Sequence, residues 1–322
     1  MRTLIILFTL IAAASAIFLN ESRRILQQEV TPTRVAEIST VAICAIARNE
    51  NLYIREWIDY HIGIGADKLF IYDNSLNEPE YVGLQTVYPG RVEVRPWKGE
   101  NKQVDAYNDC LNRLKHDDPQ AAVGFIDIDE FVVLKEHENL KSFLAQHLTE
   151  GVISLNWYMF GSGGEENYVD APVTQRFLWR AEKVNRHVKS FGIAQDIQVM
   201  GIHQPETVRT GVTQHDTSGK AFAGPFNPDG PTDVAYIAHY FTKSKEEFTK
   251  KSCVTGLATM DSRNDVKMGH CGEVIADIGT HVLALIFENF HHAERFMKHD
   301  KTNVNYLNSL FKTHHNFCRK RL

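Results

Sequence analysis

Residues 121–131 constrain this chain more than any other stretch. An apolar run, residues 121–126, ends in Asp127-Ile128-Asp129-Glu130. A buried run that stops at acids reads as a strand leaving the core and emerging at a rim. Alternation along a strand sends Asp127 and Asp129 to one side and Ile128 into the core. Two carboxylates on one side repel each other unless a cation lies between them. A hard divalent ion, Mn²⁺ or Mg²⁺, suits such oxygen ligands and often shares them with a substrate's phosphates. A D-x-D also arises by chance in a chain of this length, so its surroundings have to carry the argument.

Those surroundings have an α/β pattern. A strand is expected over residues 41–47, followed by Arg48-Asn49-Glu50 and a helix over 52–62 with Leu52, Ile54, Trp57, Ile58 and Ile62 on one face. Gly63 and Gly65 close that helix. A second strand, 68–72, runs into Asp73-Asn74-Ser75. A short strand over 92–94 and a helix over 103–114 lead to the acidic strand. This alternation implies a mixed, mainly parallel sheet flanked by helices, Rossmann-like in class. Ligands bind such sheets beyond the carboxyl ends of the strands, where Arg48, Glu50, Asp73, Asp127 and Asp129 all fall.

Further along, a helix is expected over 140–148 and a strand over 152–159, then a glycine-rich loop over 160–166. The region 169–231 shows no clear periodicity, and its part over 223–231 reads as irregular. Order returns with a strand over 234–240 and a helix from Lys245, with Ser244 as N-cap and Glu247 completing a capping box.

Composition excludes some classes. A net charge of -5 and the lack of a basic stripe argue against a nucleic-acid binder. Residues 3–19 form an uncharged run preceded by Arg2, at the lower limit for spanning a bilayer. Residues 1–19 are therefore expected to be a signal-anchor, or a signal peptide cleaved near Ala14-Ser15-Ala16. Residues 20–40 read as a polar stem, with a weak sequon at Asn20, and residues 41–322 as one domain in the secretory lumen. Of the five cysteines, Cys253 and Cys271 are the expected pair by separation.

The ordered set of motifs resembles glycosyltransferase family 92 and its GT-A fold relatives, which are related to family 2. The pieces are Ala47-Arg48-Asn49-Glu50 with Tyr53-Ile54-Arg55-Glu56-Trp57-Ile58, Tyr72-Asp73-Asn74, Gln103 with Tyr107-Asn108-Asp109-Cys110-Leu111, and residues 125–131. Later come Trp157 with Phe160-Gly161-Ser162, and His239-Tyr240 with Lys243-Ser244 and Glu246-Glu247-Phe248. The resemblance covers residues 41–256. It departs from the family at Glu165, where relatives commonly have His, and after Lys189-Ser190, which lacks the usual Arg-Pro.

The resemblance implies a GT-A-like domain that moves a hexose, often galactose, from a nucleotide-diphosphate sugar to a glycan with inversion. It implies Asp127, Asp129 and His239 as metal ligands, and Arg48, Glu50, Asp73, Gln103, Asp127 and Lys243 around a UDP-sugar. Glu165 is the candidate general base, with Glu166, Asp196 and Asp216 as alternatives. Trp157 is read either as a sugar-stacking ring or as core. A type II Golgi or other secretory-membrane location follows, or secretion if the N-terminal segment is cleaved. A lumenal carbohydrate-binding protein and a metal-dependent phosphodiesterase or nucleotidyltransferase remain the alternatives.

Overall fold

The structure, a computed structural model, describes residues 38–75, 79–148 and 151–251, together with the backbone of 297–299. Seven consecutive buried residues, Val41–Ala47, form the central strand β1. Their alternation divides the core. Val41, Ile43, Ala45 and Ala47 face one cluster with Ile54, Trp57 and Ile58 of helix α1 (Ile54–Gly63). Ala42, Cys44 and Ile46 face the other, with Ala106, Tyr107, Cys110, Leu111 and Leu114 of helix α2 (Gln103–Asp117). The sheet is thus a middle layer between helices, and each large apolar side chain it buries contributes roughly 1.5–3 kcal/mol.

Strands β2 (Lys68–Asp73), β3 (Val92–Pro96) and β4 (Ala122–Phe125) extend β1 in parallel. Then come β5 (Glu130–Leu134), helix α3 (Leu140–His147), β6 (Gly151–Met159), β7 (Trp179–Ala181) and β8 (Asn185–Ile193). They are followed by β9 (Ile197–Met200), β10 (Pro205–Val208), β11 (Thr213–His215), β12 (Ala235–His239) and helix α4 (Lys245–Lys250). The last described strand, β13 (Met297–His299), pairs with β7. The main sheet has nine strands in the order β3-β2-β1-β4-β8-β6-β12-β5, with β11 beside β6. β8 and β5 run antiparallel to their neighbours, and the other pairings are parallel. The sheet is mixed and mainly parallel, as the alternation implied.

Two sequence expectations need correcting. Asp127 and Asp129 are not on a strand. β4 ends at Phe125 and β5 begins at Glu130, so both acids stand in the turn between them, with Ile128 buried beneath. The region without periodicity also supplies β8, which enters the middle of the sheet. Its buried positions include Lys189 and Ser190, and this mixture hid the strand.

The capping box is present: the Ser244 hydroxyl accepts from Glu247 N–H at 3.2 Å, and Glu247 accepts from Ser244 N–H at 3.1 Å. Glu247 also takes the Tyr53 hydroxyl at 2.7 Å and both arms of Arg176 at 2.8 and 2.9 Å, which fastens α4 beside the start of α1. A disulfide joins Cys44 of β1 to Cys110 of α2, with Cα atoms 6.3 Å apart. Cys253 and Cys271, the pair expected from spacing, lie outside the described residues, as do the N-terminal segment 1–19 and most of the stem. Among the described residues no helix is long and apolar enough to cross a membrane.

Candidate functional site

The carboxyl ends of β1, β4, β6 and β12 open on a cleft of about 1150 Å³. Its lining includes Arg48, Glu50 and Tyr53 after β1, Gln103 at the start of α2, Asp127 and Asp129, Trp157, His187, His203, His239, Lys243 and Lys251. The backbone brings the acids to it. Trp57 Nε1 donates to Glu130 O at 3.0 Å and the Tyr60 hydroxyl to Val132 O at 2.7 Å, so α1 grips β5 just past the turn. Tyr240 N–H donates to Asp129 O at 2.8 Å, and β12 pairs His239 with Glu130.

Asp127 is held by other elements. Its Oδ1 accepts from Gln103 Nε2 at 2.7 Å and from the Tyr107 hydroxyl at 2.6 Å, both on α2. Its Oδ2 accepts from Lys189 Nζ at 2.9 Å, while 29% of the side chain stays exposed to the cleft. Lys189 is fully buried. Its ammonium also donates to Ile202 O at 3.2 Å and stands 3.5 Å from Glu130 Oε2. Burial alone would lower the Lys189 pKa, but Asp127 and Glu130 outweigh it and hold the group well above its usual value. Glu130 goes the other way: burial, with Asp127 and Asp129 adding to it, raises its carboxyl well above the usual range against the pull of Lys189.

Asp129 has a different surround. Lys251 Nζ lies 2.6 Å from its Oδ2, and His239 Nε2 lies 3.5 Å from its Oδ1. Burial would raise its carboxyl, but Lys251, then His239 and Lys243, hold it well below the carboxylate range. Glu50 shows no such rescue: burial raises it, against Lys251 and Lys243. Lys243 sits in the left-handed backbone region at φ 52° with its ammonium 4.3 Å over the Tyr53 ring. Burial and then Lys251 lower its pKa. A second residue of this cleft, Asn49, is also left-handed, at φ 58°. Strained residues of this kind cluster at sites of function.

Asp129 and His239, with Asp127 beside them, are the groups of this cleft that could hold a divalent ion. A separation of 3.5 Å between Asp129 Oδ1 and His239 Nε2 is long for a hydrogen bond. His239 Nδ1 is buried without a partner. Among the described residues no three His, Cys, Asp or Glu groups form a metal shell, so an ion here would need ligands from outside the chain.

Two sequence candidates, Asp73 and Glu165, lie off the cleft, and Arg48, Gln103 and Trp157 line it with partners of their own. Asp73 is 1% exposed and does not line the cleft. Its Oδ1 accepts from Ser75 N–H and Oγ, and its Oδ2 from the N–H groups of Glu80 and Tyr81, so it ties its own loop together. Arg48 lines the cleft but makes no ion pair with Glu50 there; its guanidinium donates to Asn74 O and Gly99 O at 3.2 and 2.8 Å. Gln103 reaches Asp127 and Tyr107 rather than pointing only at a ligand. Glu165 is exposed, stays off the cleft lining, and lends its backbone carbonyl to Lys245 N–H. Trp157 is 8% exposed, with His187 stacked on it at 4.9 Å and His239 against it edge-on at 4.4 Å, so it forms wall rather than platform. Burial lowers His187 and His203 beside it to about 4.

Lys189, Glu130, Tyr107 and Lys251 were missed as site residues. A lysine inside Val188-Lys189-Ser190-Phe191 was the available signal, since a buried ammonium needs a carboxylate. Lys251 carried none, because lysines at a helix end ordinarily offset the helix dipole.

The sequence profile of glycosyltransferase family 92 matches residues 39–267. A glycosyltransferase family 92 protein from Oryza sativa subsp. japonica is 29% identical over 153 residues, covering 46% of this chain and 26% of the relative. One from Arabidopsis thaliana is 26% identical over 160 residues, covering 46% and 28%. The chain thus spans about a quarter of the length of these relatives. Among solved structures, a 4-diphosphocytidyl-2C-methyl-D-erythritol synthase superposes with a TM-score of 0.31 at 16% identity, covering 59% of this chain and 95% of that one. The profile match encloses every side chain that lines the cleft.

Proposed function

The chain belongs to glycosyltransferase family 92, and from that premise we propose that it is a metal-dependent, inverting hexosyltransferase. The donor is a nucleotide-diphosphate sugar, with UDP and galactose favoured, and the acceptor is a glycan. The observation that carries this reading is the meeting of Asp127, Asp129 and His239 with Lys243 and Lys251 in one cleft at the carboxyl edge of the sheet. Acids alone would suit a cation and lysines alone an anion; together they suit a cation bound through a diphosphate.

Asp129 and His239 would hold Mn²⁺ or Mg²⁺, with Asp127 beside them. The ion, when bound, offsets the negative charge that grows on the leaving diphosphate. The chain's own residues do the rest. Lys189, Gln103 and Tyr107 fix the Asp127 carboxylate, Lys243 adds positive charge, and Arg48 braces the loops at Asn74 and Gly99 on the nucleotide side. The disulfide between Cys44 and Cys110 favours an oxidising compartment, which supports placing the domain in the Golgi or another secretory lumen, membrane-attached through residues 1–19. Protease protection in sealed microsomes tests that placement, and digestion without detergent refutes it.

The activity is tested by incubating the protein with a panel of labelled UDP-hexoses in Mn²⁺ or in EDTA. The expected result is metal-dependent release of sugar together with UDP. UMP and a sugar phosphate as products would make the protein a phosphodiesterase. Saturable glycan binding without turnover would make it a carbohydrate-binding protein.

A further inference from the structure

Both aspartates of the turn carry a lysine, and the two lysines differ. Lys189 has no exposed side-chain surface and is fixed by Asp127, Ile202 O and Glu130. Lys251 keeps 24% of its side chain exposed, lines the cleft, and lies 5.2 Å over the Phe241 ring with its ammonium 2.6 Å from Asp129 Oδ2. Lysine is a point charge on a rotatable stem, and the Lys251 stem, unlike that of Lys189, reaches the cleft. Lys243 shares the cleft; burial and then the Lys251 charge lower its pKa, against Glu50 and Asp129. A diphosphate offers both ammoniums a further anion.

We propose that Lys251 is an exchangeable counter-ion of the donor site: it neutralises Asp129 in the empty protein and moves to the diphosphate when the donor arrives, which frees Asp129 for the divalent ion. The proposal rests on the reading of this cleft as a nucleotide-sugar site and adds a binding order to it. Lys251 and the metal compete for one carboxylate. Metal alone therefore binds weakly, and nucleoside diphosphate strengthens it. By linkage, the metal strengthens nucleotide binding by the same factor.

The test is Mn²⁺ binding by calorimetry or by the spin resonance of free Mn²⁺, with and without UDP, in the wild-type chain and in Lys251→Met, Lys251→Gln and Lys251→Arg. UDP is expected to tighten Mn²⁺ about tenfold or more in the wild type, the scale of one charge-assisted contact. Lys251→Met and Lys251→Gln should bind Mn²⁺ alone about tenfold more tightly, and the enhancement by UDP should shrink by about the same factor, leaving the part that comes from phosphate oxygens on the ion. Lys251→Arg should behave as the wild type. If either neutral variant with a cooperative melt leaves Mn²⁺ affinity unchanged and the enhancement intact, the exchange is wrong while the donor site stands. If the wild type binds neither Mn²⁺ nor UDP, the donor-site reading fails, and this inference fails with it.

Discussion

Asp73 and Asp127 stand at the same edge of one mainly parallel sheet, Asp73 ending β2 and Asp127 just past β4, yet they end in different roles. Asp73 accepts from Ser75 and from the N–H groups of Glu80 and Tyr81, all within its own connection. Asp127 accepts from Gln103, Tyr107 and Lys189, which belong to a helix and a strand far off in the chain, and it still faces the cleft. A carboxylate satisfied by local backbone has no capacity left for a ligand. One fixed by distant side chains is positioned and keeps an open side. Placement at the sheet edge is common to both, so partners rather than position mark the candidate site.

The sharpest break of this comparison is chemical. Asp127→Asn and Asp129→Asn are expected to lower sugar transfer by roughly a thousandfold, because electrostatic stabilisation of the leaving diphosphate is lost. Initial rates with UDP-hexose check this. Lys189→Met comes next in size. It leaves Asp127 and Glu130 facing each other without their buried cation, and is expected to cost about 4 kcal/mol in urea unfolding. Adding Asp127→Asn to it should restore part of that stability and none of the activity. If the double variant is no more stable than the single, the buried charge is not the cause.

Asp73→Ala should behave in the opposite sense. It strands the donors of its loop and is expected to cost about 3 kcal/mol, with UDP affinity in the folded protein unchanged. A selective loss of UDP affinity would return Asp73 to the site.

The smallest effect concerns pH and lies away from both acids. His61 is buried against Trp57, Tyr60 and Phe131, and burial lowers its pKa to about 3 from 6.5. The unfolded chain therefore takes up a proton that the folded one refuses. Stability from this group is complete above pH 6.5 and is lost as pH falls towards 3, with about 2 kcal/mol gone at pH 5. Melting curves should show that His61→Phe loses less stability than the wild type between pH 7 and 5, and an equal loss would contradict the assignment.

Much of the sheet and of its carboxyl edge is legible because its signals are local. The run Val41–Ala47, the face of α1 and the Ser244 capping box follow from spacing alone. So did the arrival of Asp127 and Asp129 at the sheet edge, although the residues form a turn and not a strand end. The rest depended on contacts that spacing does not encode. β8 alternates charged, polar and apolar residues because it passes under the site, where Lys189 meets Asp127 across 62 positions. Asp73-Asn74 reads the same whether it meets a nucleotide or closes a loop. Glu165 sits in a glycine-rich loop near the site in sequence, and the loop holds it at the surface.

The central claim is that the turn between β4 and β5 is the metal end of a nucleotide site. Calorimetric titration with UDP, with and without Mn²⁺, tests it most directly in the wild type, Asp127→Asn, Asp129→Asn and Asp73→Asn. Mn²⁺ should strengthen UDP binding in the wild type and in Asp73→Asn, and that enhancement should be lost in the two turn variants while affinity in EDTA changes little. An undiminished Mn²⁺ enhancement in both Asp127→Asn and Asp129→Asn would contradict the claim and leave the turn a structural feature of the sheet edge.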